Sequence, residues 1–295
     1  MFVGASRTLF DIDLEVFRDA TGGALPIQLA TVGSNPKVVF ADLAADPSYA
    51  GTTIVGIVPG LLAAAGGPPI ATPTKFVKHF ARWSLADRTE LPLALWLHDR
   101  LAFINQSDLS LAALIELGLD LPARAGVYAP KLPHDLATLD RTRRARMVDR
   151  ILHDPQARHE AQQIWLPLFN PPPKPPVFSD EEWAKMMSDG LDDNIKSMVD
   201  SVNAIEARGG RVIFMRLPST GKVYELEEHY TPRAAIWDRL VRETGAPGVY
   251  FEDYPELSGF ECPEWSHLSA EDSVVFSQRL VQVMLEQGLL EKRGR

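Results

Sequence analysis

Two short stretches near the two ends of the chain carry residue types that transfer acyl groups. Near the start, "FVGASR" (residues 2–7) places Ser6 in a turn directly after an apolar run. A serine at a strand's carboxyl end points its oxygen toward the crevice above the sheet. Backbone N–H groups of the following turn then face a developing oxyanion. Near the other end, "CPEWSHLSAED" (262–272) places His267 three residues after Glu264, just before a helical pattern. A serine nucleophile needs a base within hydrogen-bond reach, and the base needs a carboxylate to orient it. Each stretch alone reads as an ordinary Gly-Ser turn or a helix-entry loop with solvated side chains. Only a fold that brings both to one edge makes them a site.

The elements between them supply such a fold. Five short apolar runs bounded by turn residues read as buried strands: residues 2–5, 26–31, 53–58, 211–217 and 248–253. Helical patterns over 36–46, 180–210, 232–248 and 269–292 alternate with them. Ser179 and Glu182 form a capping-box pattern for the long helix, and Ser269 with Asp272 caps the last. Strands alternating with helices predict a five-stranded parallel sheet covered on both faces. Ser6 then ends the first strand, and His267 lies between the last strand and the last helix, both on the carboxyl-end rim. The core is predicted over 1–59 and 210–295, interrupted by a strand-free helical insertion over 60–178. The proline-rich "NPPPKPPVFSD" (170–180) leads back through helix 180–208. An insertion beyond a strand's carboxyl end is placed to be a lid, or else an added packing layer.

Composition narrows the function classes. The 295 residues carry a formal net charge of −9, with no dominant basic stripe, which argues against nucleic-acid binding. "RTRRAR" (141–146) reads as a solvated helix face. The single cysteine, Cys262, forms no internal disulfide, and no zinc-ligand spacing is present. "GASR" lacks the further glycines of a dinucleotide fingerprint, so no cofactor is implied. No apolar run of membrane-spanning length occurs. The lead into the first turn is short for a central strand. It predicts an upstream export or anchor segment outside this chain, and so a periplasmic or envelope location; otherwise the protein is cytoplasmic.

These blocks, Gly4-Ala5-Ser6 at the start and Glu264-x-x-His267 at the end, resemble those of the SGNH (GDSL-like) hydrolases. The likeness covers the core, about residues 1–60 and 210–290, and not the insertion. It implies a three-layer, flavodoxin-like α/β fold. It further implies Ser6 as nucleophile, His267 as general base, Glu264 in place of the family's aspartate, and the N–H groups of Ser6 and Gly33 ("TVGSNP") as oxyanion donors. The third family block departs: Gly56-Ile57-Val58-Pro59 has Val58 where the family has asparagine. Losing one such donor costs roughly 3–4 kcal/mol. Asn35 is the candidate replacement. Relatives with G-x-S-R turns include envelope proteins that O-acetylate cell-surface polysaccharides.

Other polar groups fall near the same rim. Arg7 follows the serine, to hold substrate or to pair with an acid such as Asp11. Arg216 closes the fourth strand, with Ser219 and Thr220 beyond it; Arg7, Arg216 and Ser219 are the candidate substrate-binding set. Arg233, in a helix's first turn, calls for an anionic partner. Tyr230 and Trp237 read as packing. His79, His98, His153 and His159 have no ligand spacing. The expected activity is that of a serine esterase or O-acyltransferase on an acyl ester such as an acetylated saccharide, with envelope proteins as partners. The alternative is an envelope binding or scaffold protein that kept the fold and lost the chemistry, for which Val58 is the best support.

Overall fold

The computed structural model describes residues 1–98, 100, 101, 115, 136–140 and 142–292. The central sheet has four parallel strands: β1 (Phe2–Val3), β2 (Thr52–Gly56), β5 (Arg211–Arg216) and β6 (Gly248–Tyr250), side by side in that order. A further hairpin, β3 (Ala137–Leu139) with β4 (Ala145–Met147), is antiparallel. β5 is buried from Val212 to Arg216, as expected of a continuous apolar run covered on both faces.

The fifth expected strand, 26–31, is a correction: it makes only one bridge, Gln28 to Phe2, on the outer side of β1. Its backbone still runs along that edge, through Phe2 N to Ile27 O (2.8 Å), Leu29 N to Phe2 O (2.8 Å) and Thr31 N to Gly4 O (3.0 Å). β1 offers only two strand residues before the Gly4 turn, so no longer ladder forms.

Helices flank the sheet in two packed groups. α3 (Lys37–Ala45), α9 (Asp180–Glu206) and α11 (Arg233–Thr244) pack together. α1 (Ser6–Asp11), α2 (Leu14–Thr21) and α13 (Ala270–Glu286) form the other. α9 begins with the expected capping box, and Ser269 Oγ accepts from Asp272 N at the start of α13. Phe2, Val55, Ile213, Phe214 and Met215 form the centre of the main core with Met198, Val202, Phe276 and Leu280.

The insertion differs from expectation in two ways. Its first half is α4 (Pro59–Leu62), α5 (Pro68–Phe80) and α6 (Leu85–His98), and residues 99, 102–114 and 116–135 lie outside the description. Its second half opens with the β3–β4 hairpin rather than a helix, followed by α7 (Asp149–His153) and α8 (Pro155–Phe169). Asp140 explains the hairpin. Its Oδ1 accepts from Thr142 N (2.8 Å), Thr142 Oγ1 (2.6 Å) and Arg144 N (3.1 Å), a side-chain turn that competes with helix. Arg143 takes φ 64. The "RTRRAR" cluster is therefore no solvated helix face. Arg144 is buried, ion-paired with Asp13 and bonded to Ser273 Oγ (2.8 Å); Arg141 lies outside the described residues.

Hairpin, α7 and α8 bury a second core with α1 and with α10 (Gly221–Tyr230), through Leu9, Phe10, Ala145, Met147, Ile151, Trp165 and Val223. The insertion's second half is thus built onto the helix that begins at Ser6. Among the described residues no helix is long and apolar enough to cross a membrane.

Candidate active site

Close packing at the strand ends sets where α1 begins. A Cβ on Gly4 would fall 2.1 Å from Thr8 Oγ1, and so would one on Gly56. Thr8 is thereby wedged between the carboxyl ends of β1 and β2, and glycine is required on both sides by space rather than by φ. Ala5 caps the helix in extended conformation. Ser6 is its first residue, half-buried, and among the described residues its Oγ makes no hydrogen bond.

Three contacts tie α1 to the His267 loop. Arg7 Nε donates to Ser266 O at 3.1 Å, and Leu268 N donates to Asp11 Oδ1 at 2.9 Å. Between them the Phe10 ring lies against the imidazole of His267, centroids 4.3 Å apart at 31°. Ser6 and Phe10 are four apart, hence neighbours on one helix face, about 5–6 Å between Cβ atoms. Ser6 therefore sits one turn from the ring that touches His267.

Glu264 and His267 make the expected pair. Glu264 Oε1 accepts from His267 N (2.6 Å) and faces Nδ1 (2.9 Å), with both side chains at or below 1% exposure. The carboxylate assigns the proton to Nδ1 and leaves Nε2 as an acceptor. Nε2 is buried and has no hydrogen-bond partner among the described residues. Glu264 Oε2 accepts from the indole N–H of Trp165, on α8, whose ring is 5.5 Å from the imidazole. Trp265, between the pair, has φ 77. A bulky residue there is strained by about 1–3 kcal/mol and persists only when its surroundings fix it. Trp265 N bonds Cys262 O (2.8 Å), Thr220 N bonds Trp265 O (3.0 Å), and Gly221 leaves room for the indole.

Arg7, Arg216 and Ser219 come together, but around a residue that spacing does not reveal. Glu227 of α10 lies 2.9 Å from Arg7 Nη1 and 2.7 Å from Arg216 Nη2, and accepts from Ser219 Oγ at 2.7 Å. Arg7 and Arg216 are 1% exposed, Ser219 and Glu227 3%. All three expected substrate contacts are thus spent inside the protein, beneath the rim. Burial pushes the Glu227 carboxyl up, but Arg216 and Arg7 outweigh it and hold the net value below the ordinary range. Asp11 shows the opposite balance. Burial drives its carboxyl well above the usual value, against the Leu268 N–H bond and Arg7 and with the nearby Glu264 charge, and its Oδ2 has no hydrogen-bond partner among the described residues.

The oxyanion candidates separate. Gly33 is exposed with φ 62. Asn35 is fully buried: its Nδ2 donates to Leu62 O (3.3 Å) and its Oδ1 accepts from Lys37 N (3.0 Å). Its amide is engaged with the backbone of α4, and Val58 is buried at the start of that helix. The N–H groups of Ser6 and Gly33 remain as candidates.

Arg233 has its anionic partners, Asp253 (2.6 and 2.8 Å) and Asp238 (3.1 Å), and the Asp253 hydrogen bonds raise its pKa. Trp237 is packed in the core, whereas Tyr230 is exposed. His79, His98, His153 and His159 fall on α5 to α8. Cys262 is buried, and burial pushes its thiol well up. A cleft of about 410 Å³ lies beside the 261–265 loop, lined by Arg158, Gln162, Thr220, Cys262 and Trp265 among others; neither Ser6 nor His267 lines it.

Glu227 and Trp165 are the functional-site residues that sequence reasoning misses. A signal for Glu227 exists: it falls four residues after the buried Val223, an acid on a helix's buried face. Trp165 gives none beyond being an aromatic in an apolar stripe.

Fold and site together define an α/β protein with a buried Glu-His pair held against the first helix after the first strand. Compared with known proteins, the chain matches no family model, no curated protein and no solved structure.

Proposed function

We propose that the chain is an SGNH-like serine esterase or O-acyltransferase working through an acyl-Ser6 intermediate. The observation that carries this reading is the state of His267: Nδ1 fixed by Glu264, Nε2 buried without a hydrogen-bond partner among the described residues, and the ring seated on the helix that Ser6 begins. A buried unpaired polar atom costs about 1–3 kcal/mol and calls for a reason. A base awaiting the serine proton is one. The edge segment 26–31 supports the flavodoxin-like fold, since it sets the chain order as second, first, third, fourth, fifth across the sheet.

The steps follow from these positions. Ser6 Oγ attacks the acyl carbonyl while His267 Nε2 takes its proton, and Glu264 stabilises the imidazolium through Nδ1–H. The negative oxygen of the tetrahedral intermediate faces the N–H groups of Ser6 and Gly33. Collapse expels the alcohol, which takes the proton from Nε2 and leaves the acyl group on Ser6. Water or a sugar hydroxyl, deprotonated by the same Nε2, then attacks the acyl-serine, and Ser6 recovers its proton. No Ser6–His267 hydrogen bond is formed in this structure. Such bonds are often long without substrate and tighten in the Michaelis complex.

Acetylated sugars and short acyl esters, assayed with wild type and Ser6→Ala, test the reading. It requires at least one to be turned over by wild type and not by the variant; equal rates across the panel sink it.

A second reading has its own observation. Val58 is buried where the family places its asparagine donor, and Asn35 is committed elsewhere. A chain that kept the fold as an envelope binding or scaffold protein fits this. Saccharide binding without turnover favours it.

A further inference from the structure

We propose that Trp165, on α8 of the insertion, is a positioning residue for the Glu264–His267 pair; the inference rests on the acyl-transfer reading above. Glu264 is fully buried, and a buried carboxylate is tolerated only when its oxygens are hydrogen-bonded. Oε1 serves His267 twice, at N and at Nδ1. Oε2 is served by the Trp165 indole. Indole is a donor only, so it holds an acceptor there and nothing else. The same ring walls the imidazole on one side while Phe10 lies against it as well.

The terminal torsion of a glutamate is broad and roughly two-fold. With Oε2 held, the carboxylate plane is fixed and Oε1 stays on Nδ1. With Oε2 released, the carboxylate turns, and the fixed orientation of the imidazole is lost with it. α8 grips the same loop at a second point, where Gln162 Nε2 donates to Pro263 O at 3.0 Å, one turn before Trp165. Helix α8 is itself anchored at its start, where Asp154 Oδ1 accepts from Gln156 N and Ala157 N. The insertion is therefore part of the catalytic wall, which gives it a role that neither a removable lid nor a passive packing layer has.

Trp165→Phe keeps most of the ring and removes the N–H. The expected result is a fall in kcat on the order of tenfold with KM little changed, the scale of one charge-assisted hydrogen bond. The His267 Nδ1–H proton resonance should shift or broaden in the same variant. Trp165→His, which returns a ring donor, should recover part of both. Unchanged kcat and an unchanged resonance in Trp165→Phe overturn the inference. A second measurement covers a variant that does not fold. In isosteric Glu264→Gln, the Trp165 indole N–H resonance must move because its acceptor has lost its charge; a fixed resonance overturns the inference. Failure of the wild type to react with any acyl ester or serine probe removes the underlying reading instead, so the two failures are told apart.

Discussion

Phe10 and His267 lie ring against ring, 4.3 Å between centroids, and this contact joins the two ends of the chain at one place. It brings the loop before the last helix onto the first helix, one turn from Ser6. Arg7 to Ser266 and Asp11 to Leu268 repeat the attachment on either side. The nucleophile candidate and the base candidate are thus carried by two segments that cannot move independently.

Glu227 is the centre of the charge network beneath the site. Both arginines lose their carboxylate in Glu227→Gln, and breaking a buried pair in this way typically costs about 3–5 kcal/mol. Urea denaturation should show a lower midpoint with an unchanged slope. The sign with pH follows from its lowered carboxyl value. The network's contribution is fully present above the unfolded glutamate value of 4.5 and is lost as pH falls through the lower folded value. Wild type should lose stability in that acid range, and Glu227→Gln should lose less there.

Asp11 predicts the reverse. Burial raises its carboxyl well above the ordinary 3.8. A raised value means the stabilising state is the protonated one: fully present below 3.8, and lost as pH rises through the folded value. Asp11→Asn keeps the acceptor for Leu268 N–H and removes the ionisation. Its stability relative to wild type should therefore improve as pH rises from 3.8 to the folded value and level off above it, read in thermal melts. A constant difference contradicts a buried, readily neutralised Asp11.

Spacing made some of this legible and hid the rest. Glu264 and His267 are three apart, and a turn closes that distance without help from elsewhere. The order of strands places Ser6 on the same rim. Helix spacing hints that Glu227 is buried but cannot name its partner, because it reaches Arg7 from the far part of the chain, while Asp11, one helical turn away, is the local guess. Arg144 reads as solvated for the same reason: its partners, Asp13 and Ser273, belong to other elements. The missing fifth strand and the unexpected hairpin have local causes, the shortness of β1 and the Asp140 side-chain turn. Both override what apolar periodicity alone suggests.

Val58 offers a gain rather than a loss. It precedes α4 in extended conformation as its cap, a position where asparagine is favoured. Val58→Asn supplies the donor type that SGNH hydrolases carry in their third block. One oxyanion donor is worth roughly 10²–10³ in kcat where measured. Turnover of a reactive acyl ester should rise at least about tenfold in this variant. An unchanged rate means that charge does not develop beside residue 58.

The central claim is that Ser6 is a nucleophile activated by His267, and a serine-directed phosphonate probe read by peptide mass spectrometry tests it most directly. The account predicts one covalent adduct on the peptide containing Ser6 in wild type, with none in Ser6→Ala and little in His267→Ala. Equal labelling of wild type and Ser6→Ala, or a wild type that takes no label at all, contradicts it.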